Sequence, residues 1–348
     1  MAGSSFGKLF RITTWGESHG PAVGVVIDGC PAGLDLAEAD IQTMLDRRKP
    51  GQSRYATARS EDDAVEILSG VFEGKTTGTP ISLMIRNRDH HSADYAAIKD
   101  VYRPGHADYT FDEKYGIRDY RGGGRSSGRE TAGRVAAGAV AEKMLRELGV
   151  TFTVRPVSIG GIPAENEAAV KAHLDAAIRD GDSVGGIVEC IIHGVPAGLG
   201  EPVFDKADAR LAASVMSIGA VKSVEIGDGS AAAVHRGSEN NDAFRAGEDG
   251  SVTKLTNHAG GILGGITDGS DIVLRAAFKP TPSITKEQDS VTAGHKNISL
   301  SVNGRHDPVI VYRGMVVMEA MAAITILDML LENMASRLNN IKDFYGRS

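Results

Sequence analysis

The run Thr131–Ala141 (TAGRVAAGAVA) constrains the chain most, because seven of its eleven residues are Ala or Gly. Alanine favours a helix, but a helix of such small side chains buries little unless a neighbouring backbone comes close. The spacing therefore predicts a helix over 127–148 that is central and ends before Gly149. Three consecutive glycines stand ahead of it in Arg121-Gly122-Gly123-Gly124-Arg125-Ser126-Ser127-Gly128-Arg129-Glu130. A glycine turn feeding a helix start, with two hydroxyls and several guanidinium groups, suits an anion. The stretch is neither a Walker A loop nor a dinucleotide fingerprint, and the plain alternative is a solvated surface loop.

Composition bounds what surrounds this helix. At 348 residues, with 41% apolar and 24% charged, the chain can bury a substantial core and is not disordered. No Pro/Gly/Ser-rich linker divides it, so a single domain over 1–348 is expected. The 43 glycines follow no triplet period, which excludes collagen and points to turns and close backbone approaches. The net charge of −7 disfavours nucleic acid and acidic membranes as partners, so an anionic ligand needs local Arg or Lys clusters. Cys30 and Cys190 form no CxxC, which suits a reduced cytoplasmic setting without disulfides. The first twenty residues hold no apolar run of signal-peptide length. Val316–Leu331 is apolar but carries Glu319 and Asp328, and reads as a buried or interface helix, not a membrane span.

Alternation and β-branched residues predict strands at Ala22–Asp28, Val65–Phe72, Ile81–Arg86, Val150–Val157, Ile187–His193, Asp271–Phe278 and Val309–Tyr312. Helical spacing predicts Asp35–Arg48, with Asp35 and Glu38 as a capping box, then Asn166–Arg179, Asp205–Met216 and Met315–Leu338. Strand pairs mixed with helices, without regular βαβα alternation, indicate an α+β fold. Arg86–Ala93 and Ser238–Lys254 read as surface loops, with Gly-Glu-Asp-Gly suited to a hairpin tip.

Several further turns carry chemistry. Gly16-Glu17-Ser18-His19-Gly20 matches G-x-S-x-G, but a hydrolase elbow needs several strands before it, and 15 residues cannot supply them. It remains a turn presenting Ser18 and His19, the histidine being structural or catalytic. Arg103-Pro104-Gly105-His106 opens an aromatic loop through Tyr120, and a His in a Pro-Gly turn is either a general acid or a structural residue. Arg47, Arg48 and Arg54 flank another Pro-Gly turn, and Gly304-Arg305-His306-Asp307-Pro308 unites a cation, a His and a carboxylate. Together these turns suit a small polyanion held by arginines. No metal-ligand spacing occurs, so no metal is expected.

The ordered set GESHG (16–20), RRKPGQSRY (47–55), RPGHADYT (103–110), DYRGGGRSSGRETAGRVAAGA (119–139), VPAGLGEPVFDKADA (195–209), NHAGGILGGI (257–266), KPTPSI (279–284) and GRHDP (304–308) resembles the chorismate synthase family. The resemblance spans residues from about 5 to 335. It implies a β-α-β sandwich, helices packed between two antiparallel sheets, assembled as a homotetramer. It also implies anti-1,4-elimination of phosphate from 5-enolpyruvylshikimate 3-phosphate, giving chorismate, with reduced FMN as cofactor. Carried over, it makes His106 the acid toward the flavin, His19 the acid toward the departing phosphate, and Asp307 the assistant of proton acceptance at the flavin. Ser18, Arg48, Arg54, Arg103, Arg125 and Arg305 would bind the substrate. Arg125, Ser126, Ser127, Gly219, Ala220, Gly264, Lys279, Pro280, Thr281, Pro282, Ser283 and Arg305 would contact FMN, and Arg48 and Arg54 would contact NADP. Gly219 departs from the family, which often has Asn there, so a backbone contact replaces a side-chain one. The synthase motifs nearly fill the chain, so NADPH is expected only as an indirect reductant through a separate flavin reductase.

Overall fold

The computed structural model describes residues 3–49, 51, 55, 62–88, 98–248, 250–302 and 307–346. The N-terminal sheet contains β1 (Ser5–Phe6), β2 (Arg11–Gly16), β3 (Ala22–Asp28), β4 (Val65–Ser69) and β5 (Ile81–Arg86), in the spatial order β1-β2-β3-β5-β4. The second sheet contains β6 (Thr151–Ile159), β7 (Ile162–Pro163), β8 (Gly186–His193), β9 (Val221–Ile226) and β10 (Ile272–Phe278), in the order β9-β10-β8-β6-β7. Every pairing in both is antiparallel. One face of each sheet is apolar, and helices cover both. The helices α1 (Glu38–Arg48) and α3 (Thr131–Glu147) lie on the N-terminal sheet, while α5 (Ala207–Met216) and α7 (Val311–Asn333) lie on the second. The fold is therefore α+β, with helices packed between two antiparallel sheets, as expected.

The small-residue helix α3 is central. A Cβ on Gly138 would fall 2.4 Å from the Ala320 Cβ of α7, and one on Gly133 would fall 2.8 Å from the Gly24 carbonyl oxygen of β3. On its other side α3 is linked to α1 through Lys143 and Asp40, 2.6 Å apart. Helix α7 is long and apolar enough by composition to cross a bilayer, yet 83% of its most apolar window is buried inside the fold. Its two carboxylates explain how it tolerates burial. Glu319 pairs with Arg47 of α1, while Asp328 accepts the backbone N–H groups of Lys8, Leu9 and Phe10 at 2.7–3.1 Å and pairs with Arg210. A buried charge persists only when it is satisfied in this way.

Several expectations need correction. Val309–Tyr312 is not a strand: Val309 makes one bridge to Val184, and α7 begins at Val311, where burial against β6 and β8 overrides β propensity. Helix α7 ends at Asn333, and a separate α8 (Leu338–Tyr345) follows. The expected capping box of Asp35 and Glu38 is not formed: α1 is capped at Ala37, whose N–H donates to Asp40 at 2.8 Å, and alanine has no side chain to complete a box. The aromatic loop contains α2 (Asp108–Tyr115), and Gly70 divides Val65–Phe72 into β4 and a short hairpin strand. Strand β2 escaped the pattern because its inward positions include the polar Thr14, and β9 because Lys222 and Ser223 interrupt the alternation of Val221, Val224 and Ile226. The 238–254 segment holds the end of a single helical turn, α6 (Gly237–Asn240), and a hairpin of Phe244–Ala246 with Val252–Lys254; the Gly-Glu-Asp-Gly expected at its tip includes a residue outside the described ones.

Gly138→Ala tests the central contact. Alanine improves helix propensity by about 1 kcal/mol, but the added methyl has no room beside Ala320 and costs about 1–3 kcal/mol, so a net loss of up to about 2 kcal/mol is expected in urea unfolding.

Candidate active site

The site is built around the turn Gly122–Gly124, which precedes α3. Gly122 packs against the His19 ring and Gly123 against the His106 ring: a Cβ on the first would fall 2.1 Å from His19 Cε1, one on the second 3.0 Å from His106 Cε1. Gly123 has φ +109°, a conformation that side chains resist, so backbone geometry and space both require glycine there. Two residues nearly ninety positions apart in the chain thus meet adjacent glycines.

Each histidine is held by its own turn. His19 is buried, with Ser18 Oγ 3.0 Å from its Nδ1. The Asn87 side-chain amide donates to the carbonyls of Glu17 and Gly20 at 2.9 and 2.8 Å, fixing that turn. His106 Nδ1 lies 3.0 Å from Asp108 Oδ1 and 3.1 Å from Arg103 Nη2. A carboxylate beside Nδ1 favours the proton there and orients the ring, leaving Nε2 toward Gly123. Burial alone would raise the Asp108 carboxyl, but hydrogen bonds from Arg103 and His106 hold it far below the usual carboxylate range. Asp108 is thus an anion at every pH at which the protein works.

The far side of Gly123 and Gly124 borders a cavity of about 1090 Å³. Four arginines line it (Arg118, Arg121, Arg125 and Arg134), against three carboxylates, Glu17, Asp119 and Glu130. Arg121 is committed to Asp119 and Arg134 to Glu130. Arg125 instead donates mainly to neutral oxygens, Gly16 O at 2.9 Å and Thr14 Oγ1 at 2.6 Å, so its charge is the least compensated of those that are paired on this wall. Ser126 closes the turn by donating to Gly123 O at 2.7 Å, and Ser127 accepts from the Arg129 N–H. From the second sheet, Lys279 donates to Gly105 O at 3.3 Å, beside His106, and Pro282 packs on the same glycine. Its neighbour Lys222 and burial lower the Lys279 amine, burial counting for more. The Lys279 N–H bonds Ala220 O at 2.9 Å, which brings Gly219 and Ala220 to the same edge. Thr281 holds a buried hydroxyl with no hydrogen-bond partner among the described residues; Pro280 and Ser283 flank it, the latter buried.

Other expected residues lie elsewhere. Arg48 is 1% exposed and faces the interior, not the cavity. It donates to Asp63 at 2.6 Å and to Thr131 at 3.2 Å, and burial pushes it down to about 10, partly opposed by Asp63. Asp63 also takes Arg129, which donates to Asn87 at 2.8 Å, so a buried chain runs from Arg48 to the turn that presents His19. Asp307 accepts from Arg313 at 2.6 Å, and Arg313 donates to the Arg48 carbonyl at 3.1 Å, which joins Asp307 to the same chain. Gly264 sits in a hairpin beside Ala207, at the start of α5, whereas Gly219 follows the end of that helix, about 15 Å away along its axis. Arg54 and Arg305 lie outside the described residues. Among the described residues of the expected arginine clamp, Arg48 and Arg103 are bound to carboxylates, because a desolvated guanidinium needs a counter-charge. Asp63, Asp108, Asp119 and Glu130 were missed, although Asp108 stands two residues after His106 in the turn already singled out.

Two substitutions probe these pairs. Arg48→Ala leaves Asp63 with one cation and should lower stability by about 3 kcal/mol in urea unfolding. Because the Asp108 carboxyl lies below its unfolded value near 3.9, its stabilising effect is present above that pH and fades as pH falls toward the folded value. Asp108→Asn should therefore be less stable at neutral pH and lose less stability on acidification from about pH 5 to pH 2.

Residues 10–331 match the family model described as chorismate synthase. Curated chorismate synthases from Lachnoclostridium phytofermentans and Methanosarcina mazei are similar, 60% identical over the full length of both chains and 55% identical over 96% of this chain and 97% of the other. A crystal structure of a chorismate synthase aligns with a TM-score of 0.75 at 32% identity, covering 97% of this chain and 96% of that one. The chain belongs to the chorismate synthase family and is a lyase.

Proposed function

We propose that the chain converts 5-enolpyruvylshikimate 3-phosphate to chorismate by anti-1,4-elimination of phosphate, with reduced FMN (FMNH2) as cofactor. The observation that carries this reading is the pair of histidines on adjacent glycines beside an arginine-walled cavity. Its volume of about 1090 Å³ lies just above the usual range for one ligand, roughly 300–1,000 Å³, and accommodates a cofactor together with a small substrate. The donor set also fits: Arg125 and the Thr281 hydroxyl, which has no partner among the described residues, suit phosphate and ring heteroatoms, and the flat glycine backbone suits a planar ring. When bound, reduced FMN supplies an electron-rich ring that can share electron density and take up a proton.

The residues of the chain supply charge and proton placement. His106, its Nδ1–H held by Asp108, acts as an acid toward the cofactor in its doubly protonated form, giving the proton from Nε2. His19, oriented by Ser18, gives a proton to the departing phosphate oxygen, a contribution of about 10²–10⁴ in rate. Arg103, Arg125, Arg54, Arg305 and Ser18 hold phosphate and carboxylates. Ser126, Ser127, Gly219, Ala220, Gly264 and the 279–283 strap contact FMN. Arg48 acts through the chain of buried pairs that positions the His19 turn, and Asp307 is oriented by Arg313 to assist proton acceptance. NADPH is an indirect reductant, delivered through a separate flavin reductase. A homotetramer is in keeping with the separation of Gly264 from the rest of the flavin set and with the exposed Val203, Phe204, Phe344 and Tyr345. The buried thiols Cys30 and Cys190 suit a cytoplasmic setting.

Anaerobic incubation with chemically reduced FMN should release phosphate and form chorismate; substrate binding without release would mark a non-catalytic phospholigand-binding protein. Sustained aerobic turnover with NADPH and FMN alone would contradict the separate reductase. His19→Ala and His106→Ala should each lower kcat by about 10²–10⁴ and affect substrate affinity less. A loss of affinity with turnover intact would remove the acid roles.

A further inference from the structure

Asp228, His235 and His258 lie beyond the end of β9, and none of them lines the cavity. Their ligand atoms all fall within 4.8 Å of one another. Asp228 Oδ2 is 2.6 Å from His258 Nδ1 and 3.4 Å from His235 Nδ1, and the two rings meet edge to face with centroids 5.9 Å apart. Two imidazole nitrogens thus converge on one carboxylate oxygen. In a tetrahedral site with bonds of about 2.0–2.1 Å, neighbouring donors stand about 3.4 Å apart. Of the three edges, Asp228–His235 already has that length, Asp228–His258 needs to open by less than an ångström, and the two imidazole donors, which lie within 4.8 Å of each other, need only adjust toward it.

The backbone around these groups is pinned. Asp228 N–H donates to the His258 carbonyl at 2.9 Å, and Gly227 lies so close that a Cβ there would fall 2.1 Å from that oxygen. Asp242 accepts the N–H groups of His258 and Ala259 at 2.8 and 3.0 Å, and Lys254 ties Asp242 to Asp268. His235 closes the short 3-10 turn Gly229–Val234, with Asn240 Oδ1 of α6 at 3.3 Å from its Nδ1. The three side chains are 26–33% exposed, which leaves room for an ion and a water ligand.

We propose that Asp228, His235 and His258 bind a divalent transition-metal ion of the zinc class, clamping the 229–240 segment onto the Asn257–Gly261 loop. Two imidazoles and one carboxylate suit zinc, whereas calcium and magnesium prefer all-oxygen sets. The three residues match no spacing motif, so only the fold brings them together.

The test uses the full chain freed of metal by chelator. Calorimetric titration with Zn²⁺ should show one site per chain, and Co²⁺ should give the visible absorption of a low-symmetry nitrogen/oxygen site. His235→Ala, a surface change, should keep the wild-type circular dichroism and bind Zn²⁺ roughly 100-fold more weakly or worse, with His258→Gln behaving alike. Absence of stoichiometric binding in the wild type, or undiminished affinity in either variant, would overturn the proposal.

Discussion

The close contact between α3 and α7 is the constraint on which the molecule rests. Each five-stranded sheet exposes one apolar face, and these two helices, one on each sheet, meet where Gly138 faces Ala320. Larger side chains there would push the layers apart and open voids along the whole interface, and voids are costly in a close-packed interior. The same approach aligns Gly133 of α3 with the Gly24 carbonyl of β3, so the helix is set against the sheet as tightly as against its partner. The site inherits this rigidity, because the glycine turn that meets both histidines leads through two short 3-10 turns into α3.

A second level of order comes from buried charge. Asp63 holds Arg48 and Arg129 together, Arg129 holds Asn87, and Asn87 holds the turn of His19. Asp108 does the equivalent for His106 through two bonds with Arg103. Each carboxylate offsets the desolvation of a guanidinium and at the same time orients a neighbour, so structural and functional demands coincide in one side chain. This explains why, among the described residues, so few arginines near the site stand without an anion.

Much of the fold was legible because burial in this chain follows simple periods. Ala22–Asp28 and Ile81–Arg86 occur as read, and Asn166 caps α4 (Glu167–Arg179) through its side chain at 3.2 Å. The failures have physical causes. Val309–Tyr312 has a strand composition but joins a buried helix, and β2 hides behind inward polar residues that serve Arg125 and Glu130. Within the site, His19, His106, Arg103, Arg125 and Ser126 gather as their motifs suggested, since glycine-flanked turns mark places where backbone and ring approach closely. Arg48 looked like a ligand clamp because a cation beside a Pro-Gly turn has the same appearance whether its counter-charge is a substrate or an aspartate.

The sequence by itself determined the class of fold, the central helix of small residues, the glycine turn and the histidine-bearing motifs, and through them the family. Those features are local, written in spacing and residue type. Tertiary structure alone decided which histidine meets which glycine, which arginines face the cavity and which are spent on Asp63, Asp108 or Asp119, and that Asp228, His235 and His258 converge. Each of these depends on contacts between residues distant in the chain, whose distances arise only when the two sheets close over α3 and α7.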